Sequence, residues 1–131
     1  MVIVEDGIVG DVIVPRKQSR SVEVVDLGDL VLMPGAVDVH VHVNEPGRTE
    51  WEGFASATAA AVAGGITTIA DMPLNSSPVT TNLLALAHKI AAARGQLFSD
   101  VVFHGGVVPG NEGEIEGLVR AGVARDDAKG C

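Results

Sequence analysis

Residues 37–44, Val-Asp-Val-His-Val-His-Val-Asn, alternate strictly between valine and polar side chains, and no other stretch restricts the fold as much. Period-two alternation over a strand's length requires an extended segment with one apolar and one polar face. Residues two apart in a strand share a face, so His40 and His42 are expected side by side, opposite Val37, Val39, Val41 and Val43. Two imidazoles carried by one rigid strand make half of a metal site. The run stops at Glu45-Pro46-Gly47, which sets the pair near the strand's C-terminal end, where parallel α/β sheets and barrels keep their chemistry. His-x-His alone is a weak motif and equally suits a surface pair or two hydrogen-bonded core histidines. The context brings the metal reading level with those alternatives: Pro34-Gly35 breaks the chain ahead of the strand, Asp38 shares the face of the pair, and a helix and a second strand follow.

Downstream, Arg48 to Ala63 reads as a helix, with Thr49 as N-cap, Glu50 and Glu52 near the positive end of its dipole, and Gly64-Gly65 as its stop. Trp51 and Phe54, spaced i, i+3, are expected to pack on neighbouring elements. Ile66 to Asp71 is β-branched and reads as a buried parallel strand. The loop Met72 to Pro78 then opens at the same end as the two histidines. Thr80-Thr81-Asn82 offers caps for a helix to about Arg94, with Gly95 as stop. His88 falls inside that helix and is read as solvated or packed. Asp100 to His104 is a third strand, with a packing role preferred for His104, and Glu112 to Ala121 a third helix. Right-handed crossovers make these three βα units parallel.

Ahead of them, Val2–Val4, Val12–Val14, Val22–Val25 and Leu30–Leu32 read as short strands separated by Asp6-Gly7, Pro15-Arg16-Lys17 and Leu27-Gly28-Asp29. They form a small sheet in which no catalytic grouping stands out, and structural support is the reading it suggests.

Composition narrows the functional classes. The 131 residues carry 9 basic against 17 acidic side chains, a net charge of −8, which argues against nucleic acid or an anionic membrane as partner. Hydrophobic residues make up 47% and aromatics 3%, a mix suited to closely packed parallel α/β layers. One cysteine, Cys131, cannot form an internal disulfide and fits a reducing, cytoplasmic setting. The first residues lack the basic and apolar regions of a signal peptide, and no apolar run approaches the roughly 20 residues of a membrane helix.

Pro34 to His42 resembles the strand-one signature of the amidohydrolase superfamily, and within it the cyclic amidases. Asn44-Glu45-Pro46-Gly47-Arg48-Thr49-Glu50-Trp51-Glu52-Gly53-Phe54 is similar to the allantoinase group, as are Gly64-Gly65-Ile66-Thr67-Thr68 and Asp71-Met72-Pro73-Leu74-Asn75-Ser76. The resemblance runs from about Val2 to Val123. It implies a (β/α)8 barrel beside a small β-sandwich, and a centre of two divalent ions, usually zinc, with His40 and His42 holding one of them. The implied reaction is hydrolysis of a cyclic amide, allantoin to allantoate, in a homo-oligomer when full length. In dihydroorotases an arginine that grips a carboxylate stands where this chain has Asn44, which suits a neutral ureide better. Asn75 resembles the asparagine that a dihydroorotase loop directs at substrate, and equally suits a turn-forming role.

On that resemblance residues 1–33 are part of the sandwich, residues 34–123 the first three βα units of the barrel, and residues 124–131 a divergent polar tail. The bridging lysine, the second histidine pair and the late aspartate of the family have no counterpart, and Lys129 stands out of register for the bridge. The chain alone is therefore expected to be inactive. Alternative readings are a hydantoinase, dihydropyrimidinase or dihydroorotase-like substrate, or a non-catalytic fragment docking on full-length subunits.

Overall fold

The computed structural model describes residues 1–14 and 23–123, in two compact units, Met1–Leu32 and Met33–Cys131. The expected tail at 124–131, Lys129 within it, and part of the expected strand at Val22–Val25 lie outside the described residues.

In the first unit, β1 (Val2–Glu5) and β2 (Ile8–Val12) form an antiparallel hairpin with Glu5 opposite Ile8. Asp6 and Gly7 make its two-residue turn, at φ 51° and 78°, the left-handed pair that matches the twist of a hairpin. That turn fixes the return strand at Ile8, four residues earlier than the β-branched run at Val12–Val14 suggested. The structure also corrects Leu30–Leu32: these residues form no strand, nor do Glu23 to Val25, and all of them are exposed. β-branched composition favours a strand only where a partner supplies the ladder.

The second unit alternates strands and helices: β3 (Ala36–Val41), α1 (Phe54–Ala63), β4 (Ile66–Asp71), α2 (Leu83–Ala93), β5 (Asp100–Phe103) and α3 (Glu112–Arg120). The sheet is parallel in the order β3-β4-β5, as expected for consecutive βα units. Phe54 and Ala61 of α1, Ala93 of α2, Ile69 of β4 and Val43 share one buried cluster, with Val41, Val101 and Phe103 packed against it. Leu86, Leu118 and Val123 form a second, bridged to the first by Phe103. Among the described residues β3 pairs on one side only, and Val37 and Val39 stay exposed while Val43 is fully buried.

Helix α1 starts six residues later than expected. Its N-cap is Gly53, so neither Thr49 nor the two glutamates lie in its first turn. Residues 44–52 instead fold back on themselves: Asn44 N–H donates to the Glu52 carbonyl at 2.9 Å and Arg48 N–H to the Asn44 carbonyl at 3.1 Å. The first helical N–H, that of Phe54, is met by the Glu45 carboxylate at 3.0 Å, a cap supplied from nine residues away. Phe54 is wholly buried as expected, but Trp51 is exposed, its ring 5.3 Å from the Arg48 guanidinium. Among the described residues, no helix is long and apolar enough to cross a membrane.

Candidate metal centre

β3 ends at Val41, so His40 is its second-last residue and His42 follows it. The ladder to β4 is irregular at two places, between Ala36 and Val37 and between Asp38 and Val41. Asp38 pairs with Ile69 and Val41 with Asp71, with a register shift between them. Within the shift, His40 N–H donates to Asp38 Oδ1 at 3.1 Å, a local bond replacing a ladder bond. The two imidazoles lie 5.1 Å apart between ring centroids, edge to face at 65°. Both are exposed, so an ion arriving from solvent can reach either ring. This donor set fits one side of a divalent ion's shell, imidazole nitrogen being a ligand of choice for zinc and its neighbours. Among the described residues, no group of three or more histidine, cysteine, aspartate or glutamate side chains could hold an ion by itself.

Beneath the pair lies a buried polar cluster that sequence reasoning missed. Asp71, the last residue of β4, and Lys89, in the interior of α2, form an ion pair of 2.7 Å with both side chains 1% exposed. Asp71 Oδ1 accepts from Val43 N–H at 2.8 Å, and Lys89 Nζ donates to the Val43 carbonyl at 2.9 Å. The lysine also stands 5.7 Å above the Phe54 ring. Burial pushes the Asp71 carboxyl above the usual carboxylate range, and the hydrogen bond and charge of Lys89, then the Val43 N–H and the charge of His42, only partly oppose this. One available signal was Lys89 itself, a charge on the stripe of α2 otherwise made of Ala85, Leu86 and Ala93, which calls for a buried partner.

The loops after β3 and β4 meet at this end. Met72 N–H donates to the Val41 carbonyl at 2.7 Å and Ser77 N–H to that of Pro46 at 2.8 Å. Gly47 makes the second approach possible. At φ 91°, a Cβ there would stand 2.6 Å from the Ser77 carbonyl oxygen, closer than any real side chain sits. Asn75 is half-buried on the second of these loops. Asn44 is 8% exposed and its Oδ1 has no hydrogen-bond partner among the described residues. His104 is half-buried just past β5, its N–H donating to the Asp71 carbonyl at 3.0 Å, and His88 is exposed on α2.

The Amidohydrolase family profile matches residues 31–128. The chain is 51% identical over 124 residues to the mitochondrial allantoinase of Aquarana catesbeiana, covering 94% of this chain and 26% of that protein. To probable allantoinase 2 of Dictyostelium discoideum it is 63% identical over 94 residues, covering 72% and 18%. L-Hydantoinase (dihydropyrimidinase) from Arthrobacter aurescens superposes with a TM-score of 0.63 at 38% identity, over 71% of this chain and 21% of its own. The chain thus spans about a quarter or less of the length of these relatives. The family match takes in β3, both histidines and all three βα units described above, and the chain belongs to the amidohydrolase family.

Proposed function

We propose that this chain supplies the first three βα units, residues 34–123, of a (β/α)8 cyclic-amide hydrolase, with residues 1–33 contributing to a flanking β-sandwich. The substrate is allantoin, opened to allantoate in purine catabolism, and His40 and His42 hold one of two divalent ions, zinc in the first instance. The observation that carries this is the pair of exposed imidazoles 5.1 Å apart at the C-terminal end of a parallel strand. The similarity to allantoinases at 51% and 63% identity supports the substrate. When bound, such ions lower the pKa of a water and polarise a carbonyl.

The chain's own residues perform the remaining tasks. Asp38 holds the His40 backbone through its N–H. Asn44 offers neutral hydrogen-bonding capacity in place of a cation, which suits an uncharged ureide over a carboxylate. Asn75, on the loop joined to Pro46 through Ser77, is the proposed substrate contact from β4's side. With two histidines and no third ligand grouped with them among the described residues, the 131 residues alone are expected to turn over no allantoin. A chain with one cysteine suits a reducing compartment, the cytoplasm, and the parent is read as a homo-oligomer. The 38% identity to L-hydantoinase favours one second reading, the same chemistry on a hydantoin ring.

A chimera tests both. Residues 1–123 replace the matching segment of the frog allantoinase, and turnover is measured on allantoin, hydantoin, dihydrouracil and dihydroorotate. The expected outcome is preference for allantoin, lost on His40→Ala or His42→Ala. Preference for hydantoin supports the second reading, and turnover that survives both alanine substitutions contradicts the metal role.

A further inference from the structure

We propose that the buried Asp71–Lys89 pair is a positioning device for His42, gripping the peptide groups that follow it. This rests on the metal-site reading above. The carboxylate accepts from Val43 N–H at 2.8 Å, the ammonium donates to the Val43 carbonyl at 2.9 Å, and the two charges meet at 2.7 Å. Both backbone groups of one residue are thereby held by side chains from two other elements, β4 and α2. On the other flank of His42, the Val41 carbonyl accepts from Met72 N–H at 2.7 Å. His42 is therefore fixed before and after, although it lies past the end of β3 and its own ring is exposed.

An ion pair is a costly way to fill this volume. Two buried charges surrender their hydration, and apolar side chains of similar size are often as stabilising or more so. What the apolar alternative cannot do is bond the two Val43 groups. The α2 lysine crosses above Phe54 to reach a carbonyl 46 residues earlier in the chain. A ligand on an irregular segment loses affinity for metal if it must be ordered during binding, and outer supports of this kind change affinity by roughly 10- to 100-fold.

The test uses the 131-residue chain with zinc as probe, following the ring resonances of His40 and His42 by NMR and the melting temperature in parallel. Asp71→Leu/Lys89→Met keeps the volume apolar and removes both bonds to Val43. The expected result is a melting temperature near the parent's, with zinc affinity at the histidines roughly 10- to 100-fold lower. Unchanged affinity in a folded double variant overturns the proposal. Should that variant fail to fold, Lys89→Met alone decides, because a neutral Asp71 can still accept from Val43: weakened zinc binding supports the clamp, unchanged binding overturns it. His42→Ala separates the two levels of the argument. If it binds zinc as the parent does, the metal reading itself fails and the clamp with it. If it loses binding while the pair variants keep it, only the clamp fails.

Discussion

At the end of β4 a single carboxylate meets a lysine from α2 and the N–H of Val43, while its own backbone carbonyl receives the N–H of His104. Opposing effects act on that group: burial favours its protonated form, and the lysine and the backbone donor favour its charged form. Burial is the larger, so Asp71 binds a proton more readily folded than unfolded. In the pH window from the ordinary carboxylate value up to its raised folded value, the native chain holds a proton that the unfolded chain has released. Stability from this group is therefore complete below the unfolded value and is lost as pH rises through the folded one. Urea unfolding of the parent and of Asp71→Asn across that acid range checks this. The parent's stability relative to the variant should fall as pH rises, and a relative stability that grows with pH would mean that the ion pair outweighs burial.

The elements were legible in proportion to how locally they are determined. β4 occupies the residues its β-branched composition marks, Ile66–Asp71, and α2 begins where Asn82 can cap it. The Asn82 side chain accepts from Ala85 N–H at 2.9 Å, so Asn82→Ala should lower stability by about 1 kcal/mol in urea unfolding; no change would mean the helix end is held by other contacts. α1 starts later than its sequence pattern indicates because the capping group, Glu45, comes from outside the helix, and because Pro46 and Gly47 commit the next residues to a loop that docks on Ser77. Trp51 failed as a packing residue for the same reason: it belongs to that loop and not to the helix face. β2 was displaced because the Asp6-Gly7 turn fixes the register, not the richest apolar run.

In the second unit, three consecutive parallel βα units follow from alternation and crossover rules, and strand order β3-β4-β5 agrees. The side-by-side placement of the histidines was legible from their two-residue spacing, although β3 ends between them and His42 is held by loop and side-chain contacts. The ion pair beneath it was not, since Asp71 and Lys89 meet only once α2 has folded back on the sheet. The central claim is that the paired imidazoles bind a metal ion. X-ray absorption at the zinc edge of the zinc-loaded chain tests it most directly. The account predicts two imidazole nitrogens at about 2.0–2.1 Å, reduced by His40→Ala and by His42→Ala. A zinc shell of oxygen ligands alone, or one that neither substitution alters, would contradict it.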